Sequence, residues 1–233
     1  MQAEGHDLPA AQLEHWEAVH TGQPAMYGGE PSEPARYAAG LFAAAGARDV
    51  LELGAGHGRD ALFFARRGFA VQATDFSPAA LDQLTAAADD NGLGVSVRVL
   101  VHDAREPLPL PAASVDAVYA HMLLCMALST AQLHALVSEV GRVLRPGGTF
   151  VYTVRHTGDA HYGMGTAHGE DIFEHAGFAV HFFGRDLVDD LAEGWELREV
   201  EAFTEGELPR LLWRVTQTRP LTAPDERSVT HSV

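Results

Sequence analysis

Short continuous apolar runs alternate along this chain with longer stretches in which apolar residues recur every three to four positions. The runs at 50–53, 95–101, 115–121 and 149–154, with a further one closing on Asp75, read as strands buried on both faces. The stretches between them predict helices over 35–45, 77–90, 129–144 and 184–193, and one directly after the glycines at 54–58. Punctuation agrees with these boundaries. Ser77-Pro78 is an N-cap followed by proline, Asn91-Gly92 closes that helix, Ser129 caps the next, and 145–148 turns into the fifth strand. Strand and helix in alternation predict a doubly wound α/β domain. Toward the C-terminus the period changes to two over 195–203 and 208–218, which predicts an antiparallel pair. Residues 220–233 are polar and proline-punctuated, the pattern of a frayed tail.

Two stretches fall outside this alternation, and both are expected to shape a substrate site. Residues 1–34 contain a helix over 10–20, with Leu13, Trp16 and Val19 or His20 on one side, and a Gly/Pro-rich loop carrying Met26, Tyr27 and Ser32. They serve either as a cover for the sheet edge or as a lid that supplies part of a substrate wall. The second stretch, 155–182, follows the fifth strand and is rich in glycine and histidine: His156, His161, His168, His175 and His181. Their spacing matches no i,i+4 or His-x-His ligand pair, so no metal is expected, and a substrate-covering insertion is the simpler reading. Arg155 and His156 leave the fifth strand at its active-site end. The whole of 1–219 reads as one domain.

The segment 50–75 concentrates the chemistry. A buried strand leads into Gly54, Gly56 and Gly58, then a helix and a second strand ending on Asp75. Glycines at alternate positions let a ligand lie against the backbone, and the helix behind offers free N–H groups. An acid about 20 residues past the first glycine stands where such folds hold ribose hydroxyls, which suggests an adenosine-containing ligand. A dinucleotide fold uses G-x-G-x-x-G, whereas here Arg59 occupies the place of the third glycine and Glu52 precedes the first. An acid at the end of the first strand does not suit a pyrophosphate. It suits a ligand with a positive centre or an amino group.

Composition narrows the field. The 233 residues are 46% apolar with 16 basic against 32 acidic residues, a net charge of -16. Such a surface repels nucleic acid and anionic lipid, so a nucleic-acid substrate is not expected. The absence of lysine excludes a P-loop and Schiff-base chemistry. Cys125 is the single cysteine, which leaves no intrachain disulfide and no cysteine-based zinc site. No apolar run is long enough to span a membrane, and the first ten residues carry no secretory pattern, so the expectation is cytoplasmic, as monomer or homodimer.

The motif E-L-G-A-G-H-G followed by an acid ending the next strand resembles motifs I and II of the class I S-adenosylmethionine-dependent methyltransferases. H-D-A at 102–104 is similar to their third motif, and L-R-P-G-G at 144–148 to a recurring later one. The resemblance implies a seven-stranded sheet ordered 3-2-1-4-5-7-6 with the last strand antiparallel. It implies S-adenosylmethionine as cofactor, released as S-adenosylhomocysteine, held by Glu52, Gly54, Ala55, Gly56, Gly58, Arg59, Asp75, Phe76, Asp103, Ala104 and His121. His121, His156 and Arg155 are the candidates for catalysis. Trp16, Tyr27, Met122, His161 and Tyr162 are the candidates for contact with a small-molecule acceptor. The segments G-R-D-A-L-F-F-A-R-R-G and E-G-W-E-L-R-E-V-E-A-F-T-E-G-E-L-P-R-L-L-W look like the bacterial tellurite-resistance and, more remotely, the thiopurine methyltransferases, which implies a thiol or chalcogen-oxyanion acceptor. A biosynthetic N- or O-methyltransferase with a histidine base, or a non-catalytic S-adenosylmethionine-binding module, stand as alternatives.

Overall fold

A computed structural model describes residues 8–23, 26, 28–206 and 210–221. Its chain order is α1 (Leu8–Gly22), α2 (Glu33–Ala44), β1 (Asp49–Leu53), α3 (Arg59–Arg66), β2 (Ala70–Asp75), α4 (Pro78–Asp90), β3 (Val97–Val101) and β4 (Val115–His121). Then come α5 (Thr130–Val143), β5 (Leu144–Arg155), β6 (Thr166–Gly169), β7 (Ile172–His175), β8 (Phe178–His181), α6 (Arg185–Leu191), β9 (Glu196–Glu205) and β10 (Arg210–Thr218).

The main sheet has seven strands in the order β3-β2-β1-β4-β5-β10-β9. The first five are parallel, and β10 runs antiparallel to both β5 and β9. Alternate residues of each central strand feed different layers. Ala117 and Tyr119 of β4 pack with α2, α3 and α4, while Val118 and Ala120 pack with α5 and α6. That two-sided burial is why these strands read as unbroken apolar runs rather than alternating ones. The helix caps are those the sequence marks: Ser77 Oγ accepts from Ala80 N, and Ser129 forms a capping box with Gln132.

Three differences from the sequence reading have physical causes. Strand β3 begins at Val97, because Ser96 N donates to Leu93 O in a turn that leaves Val95 exposed. Strand β5 begins at Leu144 and carries a register shift against β4. Gly148 makes that possible, since a Cβ there would stand 2.8 Å from two backbone oxygens, Arg145 O and Asp116 O. Third, β6-β7-β8 form a separate antiparallel sheet. Its turns, Glu170-Asp171 and Ala176-Gly177, have both central residues at positive φ, the two-residue hairpin geometry usually signalled by Asn-Gly. Three of those four residues are not glycine, so the signal is hidden.

Candidate active site

The carboxyl ends of β1, β2, β4 and β5 open into a cavity of about 760 Å³. Its floor is Gly54, Ala55, Gly56 and His57 of the glycine turn, and Gly54, Gly56 and Gly58 are all at positive φ. A Cβ on Gly54 would stand 3.0 Å from Leu123, and one on Gly58 only 2.1 Å from the buried Leu84. Asp75 fixes the turn: one carboxylate oxygen accepts from Gly56 N at 2.8 Å, the other from Ser77 N at 2.9 Å. Burial raises its pKa, against the pull of those two N–H groups and of His20. Glu52 is buried in the same wall, and its Oε2 has no hydrogen-bond partner. Burial raises its pKa well above the usual range, and the neighbouring Asp60 adds to this while Arg59 opposes it.

Helix α1 roofs the turn. Trp16 stacks on His20 at 5.7 Å, and His20 Cε1 lies 3.4 Å from where a Gly56 Cβ would be. Glu17 accepts from Ser77 Oγ at 2.5 Å and Ala79 N at 3.3 Å, bolting α1 to the start of α4. At its other end Gln12 donates to Gly177 O and accepts from Ala179 N, tying α1 to the small sheet. The face turned inward is thus Gln12, Trp16 and His20, whereas Leu13 is 40% exposed. Tyr27 lies outside the described residues.

Phe76, Asp103 and Ala104 line a smaller cavity of about 50 Å³, which shares Trp16, Leu123 and Met126 with the main one. The Asp103 carboxylate clasps the Arg105 side chain and backbone N–H; burial alone would raise its pKa, but the Arg105 contacts outweigh it. Arg59 and Met122 wall the main cavity. Met122 sits at φ +61° just past β4, a left-handed conformation of the kind found at functional sites.

His121 sits in a polar chain across the strand ends. Its Nδ1 is 2.8 Å from Thr153 Oγ1 and its Nε2 is 3.3 Å from Glu205 Oε1. Arg59 approaches the same carboxylate oxygen at 3.8 Å. Burial would raise the Glu205 pKa, but His121, Arg59 and Arg210 together bring it below the usual carboxylate range. Glu205 lies within the resembling segment 193–213, but no motif spacing marks it as a site residue, because it stands at the end of an edge strand far along the chain.

Arg155 lines the cavity with its guanidinium over the Phe182 ring, 2.9 Å from His161 Nδ1 and 2.5 Å from Asp159 Oδ1. Asp159 also accepts from His161 N and Leu211 N, so it joins β5, the insertion and β10. These bonds outweigh burial and hold its carboxyl at about 2. Because the folded pKa is depressed, the stabilisation is complete above about pH 4 and lost as pH falls toward 2. An Asp159→Asn variant should therefore be less stable at neutral pH and lose less on acidification, measured by urea midpoints from pH 7 to 3.

Three of the described candidates line neither cavity: His156, Tyr162 and Gly58, the last of which packs against Leu84. His156 follows Arg155 on the strand, so its side chain turns to the other side; it stacks on Trp213 at 4.7 Å and its Nδ1 accepts from Gly158 N. Tyr162 stands behind the wall, donating to Asp171 at 2.8 Å and touching Phe173 and Phe182 edge-on. Other histidines of the insertion divide similarly: His175 faces the cavity, His181 Nδ1 contacts Leu128 O at 2.7 Å, and His168 pairs with Glu174. Among the described residues no group of three His, Cys, Asp or Glu is placed to hold a metal, and no helix is long and apolar enough to cross a membrane.

Comparison with known proteins places this geometry. Residues 50–148 match a family model described as a methyltransferase domain. An uncharacterized methyltransferase of Mycobacterium bovis is 41% identical over 120 residues, covering 52% of this chain and 44% of the relative. The chain therefore spans about half the length of the curated relatives it matches. Among solved structures, the 1,6-didemethyltoxoflavin-N1-methyltransferase of Burkholderia thailandensis, with S-adenosylhomocysteine bound, superposes with a TM-score of 0.70 at 18% identity, over 94% of this chain and 92% of that one. TehB of Haemophilus influenzae gives 0.65 at 12% identity, over 88% and 67%. Likeness at those identities shows the fold alone. The family match over residues 50–148 and the strand order together show a class I methyltransferase fold.

Proposed function

We propose that the chain binds S-adenosylmethionine and directs its methyl group to a small molecule by in-line displacement. One observation carries this reading: a buried, unpartnered carboxylate oxygen of Glu52 in the wall of a cavity floored by glycines. A carboxylate kept from water fits a ligand that brings an ammonium group to it, and it does not fit a pyrophosphate. Gly54 and Gly56 leave room for that ligand against the backbone. Asp75, with one N–H already on each oxygen, retains lone pairs for ribose hydroxyls. Phe76, Asp103 and Ala104 border the space for the base.

When bound, the donor supplies a methyl already activated by a sulfonium. The chain's own work is placement and exclusion of water, which can contribute on the order of 7–11 kcal/mol. Trp16 and the small sheet close the cavity from above, while Met122 and Met126 provide an apolar wall. The net charge of -16 supports a small molecule over a nucleic acid as acceptor. The resemblance of residues 58–68 and 193–213 to the tellurite-resistance and thiopurine methyltransferases favours a thiol or chalcogen oxyanion. The His121–Glu205 contact favours the second reading, an N- or O-methyltransferase.

Calorimetry tests the donor assignment. Burial raises the pKa of free Glu52 and an ammonium favours its ionised form, so across the range in which free Glu52 titrates binding releases a proton and affinity increases with pH. Titration with S-adenosylhomocysteine in two buffers of different ionisation enthalpy should show this release. Glu52→Gln should abolish the release and weaken binding about 10-fold or more. An affinity indifferent to both pH and this substitution removes Glu52 from the donor site.

A further inference from the structure

Glu205 reaches the cavity by an unusual route. Strand β10 pairs with β5 as far as Leu212 opposite Arg155, while the β9–β10 hairpin continues to Arg210 opposite Glu205. The hairpin thus overhangs the carboxyl edge of the sheet and brings Glu205 to His121, which lies three strands away in the sheet order. Both ring nitrogens of His121 then have partners, Thr153 Oγ1 and Glu205 Oε1. The carboxylate is what remains to meet a third group. His121 ends β4 and Arg59 follows the glycine turn, so a carboxylate touching both stands at the junction of the glycine-floored half and the apolar half of the cavity. The apolar half, with Met122, Met126, Phe173, Phe178 and Phe182, suits a flat ring.

We propose that Glu205 is a catalytic residue whose carboxylate faces the transferring methyl, and that it selects a neutral hydroxyl or aromatic amine as acceptor over anionic thiolates and chalcogen oxyanions. This rests on the donor assignment above. In the transfer, the S–CH3 bond breaks with its electron pair left on sulfur, and an O–CH3 or N–CH3 bond forms from a lone pair of the acceptor. The positive charge moves from sulfur to the attacking atom, whose proton passes to the Glu205 carboxylate. A fixed carboxylate at that point stabilises the developing charge and accepts the acidified proton of an oxonium or arylammonium. The same charge repels an anion that approaches the methyl. Arg59 and His121 hold the carboxylate in place and keep it ionised before the transfer.

Two ligands titrated into the full chain test this without an acceptor: S-adenosylhomocysteine, and its analogue bearing an ammonium in place of the sulfonium methyl. The wild type should prefer the ammonium analogue. Glu205→Gln should cut that preference by about 10-fold or more while leaving S-adenosylhomocysteine affinity unchanged, as expected for losing one charged hydrogen bond. An unchanged preference overturns the proposal, and so does an equal loss for both ligands, which would make Glu205 a ligand of the donor's amino-acid end. A wild type that binds neither ligand overturns the donor assignment itself, and the proposal with it. With 2-naphthol, 2-naphthylamine and 2-naphthalenethiol as acceptors, faster methylation of the thiol than of the other two overturns the selectivity.

Discussion

Asp75→Ala is expected to weaken S-adenosylhomocysteine binding by about 100-fold or more, the scale of losing a charged hydrogen-bond acceptor at the ligand together with its structural support. Two effects add. The carboxylate proposed to hold the ribose disappears, and the N–H groups of Gly56 and Ser77 lose their acceptors, so the glycine turn and the start of α4 are no longer tied together. Asp75→Asn separates the two. An amide keeps one acceptor oxygen but sets an N–H against one of the backbone N–H groups, so it should retain the fold and still bind weakly. Calorimetric titration of both variants, with Asp82→Ala on the exposed side of α4 as control, gives the comparison. Undiminished affinity in Asp75→Ala would remove this residue, and with it the adenosine reading of the turn.

The largest stability effect is expected at Asp60, which is not among the site residues expected from the sequence. It is buried at the start of α3, where Ser32 N and Ser32 Oγ each donate to it at 2.7 Å and the Tyr119 hydroxyl lies at 3.3 Å. Tyr119 is itself buried, 2.9 Å from Ser32 Oγ, with its pKa pushed well above the usual value by burial and by the nearby Asp60 charge. Ser32 is also the N-cap of α2, accepting from Ala35 N. One carboxylate thus joins α2, α3 and β4. Asp60→Ala leaves a buried N–H and two hydroxyls short of a partner, at a cost of about 3–4 kcal/mol. For a chain of this size the melting temperature should fall by about 10 °C. Tyr119→Phe, which leaves both Ser32 bonds to Asp60 intact, should cost only about 1 kcal/mol. Equal losses in the two variants would show that the hydroxyl, not the carboxylate, organises this junction.

The sequence by itself determined the sheet and the half of the cavity proposed to hold the donor, because both depend on local signals. Two-sided burial of parallel strands writes an apolar run, Ser77 and Ser129 write helix starts, and a turn that brings backbone to a ligand must be built from Gly54, Gly56 and Gly58. The acid closing β2 is fixed by the same short unit. The alternating pattern at the end of the chain was enough to separate this sheet from a wholly parallel one. Tertiary structure alone decided the half proposed to hold the acceptor. Which side of β5 Arg155 and His156 face follows from the pleat and from Trp213 lying on the neighbouring strand, so one enters the cavity and the other stacks behind it. The small sheet turns on Glu170-Asp171 and Ala176-Gly177, whose positive φ is imposed by pairing and mostly not announced by residue type. Glu205 and His121 meet across more than eighty residues of chain because the β9–β10 hairpin overhangs the sheet edge, and no spacing in the sequence encodes how far a hairpin projects.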